Sequence, residues 1–320
     1  MMQNPSKKPL VIIAGPTAVG KSDMSVKVAE LINGEIISAD SMQVYRGMDI
    51  GTAKIKKEEM NGIRHYLIDA LDPKDEFNIV KFQAMAKEAM TEIYSHGKIP
   101  ILCGGTGFYI QSVLYDIDFN EAEDMNSYRA KLTQIANTNG NEYLHDMLKN
   151  TDPAAAQKIH ANDLKRVIRA LEYYNQTGEC ISAHNEEQAQ NESPYNFKFF
   201  VLTDEREIIY DKINRRVDLM IEKGLVEEVK RLKDQGLDDT FVSMKGLGYK
   251  EILEYLDGKI TLDEAIYKIK RDSRHFAKRQ LTWFKRERNI IWLDKSKETK
   301  ENILSTIVTQ TKAMDAEEQA

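Results

Sequence analysis

A short β-branched run, Pro9 to Ala14, leads without a spacer into Gly15, Pro16, Thr17, Ala18, Val19, Gly20, Lys21 and Ser22, which match G-x-x-x-x-G-K-S. A helical stretch from Lys21 to Ile32 follows and stops at Asn33 and Gly34. Continuous apolar runs of this kind fill buried parallel strands, and a glycine-rich loop between strand and helix turns backbone N–H groups toward an anion. Lys21 adds a full positive charge there, and the Ser22 hydroxyl is placed to take a Mg²⁺. A di- or triphosphate site is therefore expected. Which phosphate compound occupies it stays open, ATP-type nucleotide binding included.

The same alternation continues. Glu35–Asp40, His65–Asp69 and Ile99–Cys103 read as strands, with a helix over Ile79–His96 and another over Phe108–Leu114. Strands alternating with helices imply an α/β fold: a P-loop NTPase-like parallel sheet covered by helices. From about Asp118 to Asn196 polar helical stretches succeed one another without a strand, which predicts an inserted all-helical subdomain. Phe197–Leu202 resumes the sheet, helices follow over about 206–223, 226–234 and 262–287, and Asn289–Asp294 reads as a last strand. The expected division is a first core part over 1–117, the insert over 118–196, and a second core part over 197–320 ending in a frayed tail at 315–320.

Composition is that of an ordinary globular chain: 320 residues, 42% hydrophobic and 30% charged. The longest clean apolar run, Leu10 to Ala14, is too short to cross a bilayer, so no membrane partner and a cytoplasmic location are expected. Cys103 and Cys180 lie far apart with no Cys or His at ligand spacing, which argues against a disulfide framework or a zinc site. The formal charge of −6 hides a local excess: nine basic residues against Asp272 and Glu287 between Lys268 and Arg288. Arg271, Arg274, Lys278 and Lys285 recur at helical spacing, as in a nucleic-acid footprint, RNA or DNA.

Other candidates have two readings each. Asp40 closes the second strand at the carboxyl edge of the sheet, where a general base belongs and where a turn-capping aspartate is equally common. Gly104, Gly105, Thr106 and Gly107 follow the fourth strand at that edge, either as a tight turn or as backbone access to a ligand with the Thr106 hydroxyl. In the segment 163–172, Leu164, Val167, Ile168 and Leu171 make one apolar face and leave Lys165, Arg166 and Arg169 on others. Arg215 and Arg216 sit on a helix where one could reach a diphosphate or pair with Asp211 or Asp218.

Taken together, these residues resemble the tRNA dimethylallyltransferase (tRNA isopentenyltransferase) family, from Gly15 to about Asp294. The most specific likenesses are the loop 15–22, Ser38 to Tyr45, Gly47 to Lys54, Gly104 to Thr106, and Ala277 to Phe284. Lys165 stands where the family usually has Gln and Ala161 where Pro often follows an Ile-His pair; the zinc finger of eukaryotic members does not follow, as in bacterial members. The resemblance implies transfer of a dimethylallyl group from dimethylallyl diphosphate to N6 of the adenosine just 3′ of the anticodon of tRNA. By motif position it makes Asp40 the base, puts Lys21, Arg216 and Thr17 on the diphosphate with the rest of the loop, and adds Mg²⁺ on Ser22. It also places Ser41, Met42, Gln43, Thr106, Arg129 and residues 165–169 (Lys165, Arg166, Val167, Ile168, Arg169) near the tRNA anticodon stem-loop; the basic helix, read on its charge, adds Arg274 and Lys278 as phosphate contacts. A monomer is the expected form. A P-loop small-molecule kinase would explain the phosphate loop and the parallel sheet but leave the basic helix, the Asp40 segment and the helical insert without a role; a third reading is a nucleotide-controlled RNA-binding switch, which hydrolysis or nucleotide affinity would distinguish.

Overall fold

Six strands pair into one sheet in the computed structural model, which describes residues 7–119, 126–188 and 190–317. They are β1 (Pro9–Ala14), β2 (Gly34–Ala39), β3 (His65–Tyr66), β4 (Ile99–Gly104), β5 (Asn196–Thr203) and β6 (Ile290–Asp294). All pairings are parallel, in the order β3-β2-β4-β1-β5-β6. The sheet and its covering helices are the α/β architecture that the alternation predicts. β1 and β4 are buried along nearly their whole length, which is why they read as unbroken apolar runs rather than alternating ones.

Three helices fall in the first part of the chain: α1 (Lys21–Ile32), α2 (Ile79–Ser95) and α3 (Gly107–Leu114). The contact pattern divides the chain into two compact units, Met1–Leu114 with Pro194–Ala320, and Tyr115–Ser193. The second unit is helical: α4 (Asn126–Asn139), α5 (Asn141–Thr151), α6 (Pro153–Lys158), α7 (Leu164–Thr177) and α8 (Ile181–Gln188). Its core is made by Leu132, Leu144, Leu148, Val167, Ile168 and Leu171, all buried. The first unit then adds α9 (Arg206–Glu222), α10 (Leu225–Asp234), α11 (Tyr249–Leu256), α12 (Leu262–Phe284) and α13 (Lys300–Glu317).

Three expectations need correction. The third strand stops at Tyr66, because Leu67 and Asp69 take left-handed backbone (φ 61° and 53°) that leaves the extended region. The tail expected to fray carries α13 as far as Glu317, and residues 318–320 lie outside the described residues. Ile303 and Ile307 of α13 are fully buried in the cluster that holds Val11, Ile13 and Val28, and each contributes about 1.5–3 kcal/mol by leaving water. The basic helix ends at Phe284 rather than at 287.

Candidate active site

Register places the chemistry. Ala14 of β1 and Ala39 of β2 both pair with Gly104 of β4, so the residues that follow each strand leave the sheet at one level. The loop after Gly15, Asp40 with its turn, and the Gly105–Thr106 turn therefore converge at the carboxyl edge, where open parallel sheets bind ligands. Gly15 has φ 145°, and a Cβ there would run into the carbonyl oxygen of Leu202, so the loop can start its turn only with glycine.

The loop is held from several sides. Lys21 Nζ donates to the Pro16 carbonyl (2.8 Å), and Lys295 Nζ donates to that of Val19 (2.9 Å). The Thr17 N–H donates to Gln280 Oε1 at 2.9 Å, and Arg216 Nη1 donates to Thr17 Oγ1 at 3.1 Å. Burial pushes the Lys21 ammonium down to about 8, Arg216 adds to that, and Cys103 and Asp40 oppose it. Burial likewise lowers Arg216 from its usual value, against the pull of Asp40. Two partly buried cations lining one cavity are the arrangement that a bound polyanion relieves.

Asp40 Oδ1 accepts the N–H groups of Met42 (2.9 Å) and Gln43 (3.3 Å), which caps its own turn and fixes the carboxylate. Both readings of Asp40 are thus physically compatible: one oxygen is used by the turn, and the side chain still lines two cavities. One, of about 520 Å³, is lined by Thr17, Ala18, Gly20, Lys21, Ser22, Asp40, Gln43 and Arg216 among others. The second, of about 480 Å³, is lined by Thr17, Asp40, Ser41, Met42, Thr106 and Arg216, with aromatic faces from Phe77, Tyr109 and Phe276. Thr17, Asp40, Arg216 and Phe276 belong to both. The two spaces thus share the polar side chains of Thr17, Asp40, Thr52 and Arg216.

The segment 47–54, read only through the family resemblance, has a structural role. The N–H groups of Asp49, Ile50 and Gly51 donate to the buried Glu228 carboxylate at 3.0, 2.9 and 3.1 Å, and the Tyr249 hydroxyl donates to it at 2.7 Å. Lys54 Nζ donates to Asp49 and Asp69, each at 2.6 Å, and to the Tyr45 carbonyl. A buried carboxylate satisfied by three amides and a phenol locks the loop, and the loop's Thr52 and Ala53 form a wall of both cavities. Nothing local in the sequence links this loop to Glu228, some 178 positions away.

The expected RNA-facing residues separate. Ser41, Met42 and Thr106 line the second cavity, whereas Gln43 faces the first and donates from Nε2 to the Thr52 carbonyl. In the helical unit Val167 and Ile168 are core residues, so their side chains cannot touch RNA; their helical spacing with Leu171 already put them on the apolar face. Arg129 makes a two-pronged pair with the buried Glu172 (2.8 and 2.7 Å), and Arg166 pairs with Asp163. Lys165 is exposed and Arg169 half-buried. The basic helix is less free than its sequence implies, because Lys268, Lys270 and Arg271 are ion-paired to Glu254, Asp218 and Asp272. Arg274 donates to Asn214 Oδ1 (2.6 Å). The accessible positive charge lies further along, where Lys278, Arg279 and Arg286 border a groove of about 370 Å³ with His275, Thr282 and Trp283.

For Mg²⁺ the protein supplies few donors. Among the described residues no three His, Cys, Asp or Glu side chains are grouped to hold a metal. The Ser22 hydroxyl lines the phosphate-side cavity, as does the Asp40 carboxylate. That donor set suits a hard cation carried mainly by phosphate oxygens and water, which is how Mg²⁺ is usually held. No helix among the described residues is long and apolar enough to cross a membrane.

The family model described as IPP transferase matches residues 43–287, three-quarters of the chain, and starts just past Asp40. The tRNA dimethylallyltransferase of Lachnoclostridium phytofermentans is 62% identical over 288 residues, covering 90% of this chain and 92% of that protein. The Carboxydothermus hydrogenoformans protein of the same name is 54% identical, covering 94% and 96%. Among solved structures, the full-length tRNA isopentenylpyrophosphate transferase of Bacillus halodurans superposes with TM-score 0.74 at 45% identity, covering 98% of this chain and 100% of that one. A eukaryotic dimethylallyltransferase acting on tRNA gives TM-score 0.77 at 32% identity, covering 90% and 74%. With a phosphate loop, an edge aspartate and full-length relatives in agreement, the chain belongs to the IPP transferase family.

Proposed function

We propose that this chain transfers the dimethylallyl group of dimethylallyl diphosphate to N6 of the adenosine immediately 3′ of the anticodon in tRNA. The observation that carries the reading is the shared boundary of the two cavities, one ending in the phosphate loop and the other walled by aromatic rings, with Asp40, Thr17 and Arg216 on both. Two substrates can thereby meet at one carboxylate. Such a cavity suits an adenine that has left its stack, since a base within stacked RNA cannot reach a reacting carbon.

The chemistry asks for two things. The bond from the allylic carbon to the diphosphate oxygen breaks, leaving charge that the loop amides, Lys21 and Arg216 stabilise from fixed positions. Thr17 Oγ1 accepts from Arg216, so its own hydrogen is free for a diphosphate oxygen. As the new bond from carbon to N6 forms, the nitrogen must lose a proton, and Asp40 takes it. Mg²⁺, bound through Ser22 and the phosphates, would supply further charge neutralisation on the leaving group.

Diphosphate release tests the reading against a kinase: it should require dimethylallyl diphosphate and unmodified tRNA together, with ATP unconsumed. ATP turnover independent of tRNA would replace prenyl transfer with the kinase reading.

A further inference from the structure

The segment 277–284 is among the most specific parts of the sequence, yet the mechanism above uses none of it. Within it Gln280 is buried on the inner side of α12, only 6% exposed. Its Oε1 accepts the Thr17 N–H and its Nε2 donates to the Gly105 carbonyl, both at 2.9 Å. A Cβ at Gly105 would collide with Gln280 Nε2 and one at Gly107 with the Trp283 ring, so α12 is seated on the turn after β4 through two glycines. The Thr17 amide is thereby committed to protein rather than offered to an anion. What Thr17 can give a diphosphate is its hydroxyl, steered by Gln280 through the backbone and by Arg216 at the oxygen.

We propose that Gln280 is a positioning residue for the leaving group: it sets the placement of the Thr17 hydroxyl and ties that placement to the seating of α12 on the Gly105 turn. A helix whose outer face carries Lys278 and whose inner face holds the phosphate loop transmits its own position to the reacting end of the diphosphate. Fixed placement of one donor matters because transition-state stabilisation depends on alignment set before reaction. The inference rests on the prenyl-transfer reading.

Gln280→Met removes both hydrogen bonds at nearly constant volume. Measured as single-turnover prenyl transfer, it should slow the wild-type background by about 10–100-fold. In Thr17→Ala it should cost less than about threefold, because the hydroxyl it places is gone; such non-additivity is the mark of residues acting as a unit. Affinity for tRNA should stay within about twofold, since Gln280 faces inward. Equal cost in both backgrounds, or no cost in either, overturns the proposal. Gln280→Glu gives a second readout that survives poor folding of the first variant. Protonated, its carboxyl still accepts from Thr17 and donates to Gly105; ionised, it sets an acceptor against the Gly105 carbonyl. Its activity should approach wild type at low pH and fall as pH rises through an ionisation the wild type lacks, and a profile parallel to wild type contradicts the proposal. Wild-type protein that transfers no prenyl group would remove the underlying reading itself, a result distinct from both.

Discussion

The two cavities that meet at Asp40 are built on different principles. On the phosphate side the polar groups are fixed by covalent and backbone geometry: loop amides, Lys21 bonded to the Pro16 carbonyl, and Lys295 bonded to the Val19 carbonyl. On the other side the walls combine rings (Phe77, Tyr109 and Phe276) and small side chains (Ser41 and Thr106) with the long cationic chains of Lys245, Lys250 and Arg279. A compact anion with an invariable charge pattern can be met by a preset cradle. A purine needs shape, stacking and one well-placed proton acceptor. The difference separates what each substitution should do.

The largest effect should come where both sides meet. Asp40→Asn keeps the size and the turn, and should lower kcat by about 10²–10⁴-fold with tRNA affinity nearly unchanged, since it removes proton transfer rather than binding. Rapid-quench transfer assays alongside filter binding check this, and a fall in tRNA affinity matching the loss of rate would make Asp40 a binding residue. Arg216→Gln removes one leaving-group donor, and about 10²–10³-fold in kcat is expected, the scale for deleting a preorganised donor. Because Arg216 borders both cavities, a defect confined to the KM for tRNA would break the assignment of its charge to the phosphate side.

Next comes pH. The Lys21 ammonium of the free protein is pushed down to about 8 by burial. Bound diphosphate favours the charged form, so its pKa rises in the complex. Affinity for dimethylallyl diphosphate should hence be full below pH 8 and fall above it, by at most about tenfold per unit. Calorimetric titrations from pH 6.5 to 9.5 would reveal this as proton uptake on binding, and a flat profile contradicts it. The smallest effects belong to the outer face of α12. Lys278→Ala should weaken tRNA binding and reduce its salt slope by about one unit, while Arg274→Ala, whose guanidinium is bonded to Asn214, should change the slope less. Equal slopes for the two variants would mean that the bond from Arg274 to Asn214 of α9 does not decide which cations of α12 meet RNA.

The loop on the phosphate side was legible in the sequence for a physical reason: strand, loop and helix are contiguous, so eight successive residues carry its core, although Arg216, Gln280 and Lys295 that hold it come from distant positions. The parallel sheet followed from alternation along the chain in the same way. The rest depends on distant partners. Gly47 to Lys54 is a cradle for Glu228, and Gln280 reaches Thr17 across 263 positions, neither of which any local period reveals. α12 shows the same limit for charge, because Lys268 and Lys270 are neutralised by Glu254 and Asp218 on other helices, while Arg271 pairs with its own neighbour Asp272. In α7 the local signal was the better guide: the spacing of Val167, Ile168 and Leu171 marks a buried face, and a family-level segment that includes them covers residues of opposite exposure. The α13 helix, mixed in polarity along its length, gave no amphipathic signature, though Ile303 and Ile307 anchor it in the main core.

On the proposed reading one carboxylate, that of Asp40, joins a diphosphate pocket to a nucleobase pocket. The most direct test of that reading is to incubate the protein with Mg²⁺, dimethylallyl diphosphate and unmodified tRNA, digest the RNA, and locate the added mass by tandem mass spectrometry. Wild type should form N6-(dimethylallyl)adenosine at the position 3′ of the anticodon, and Asp40→Asn should form almost none. Unmodified adenosine throughout, or the same yield from the Asp40 variant, would contradict that reading.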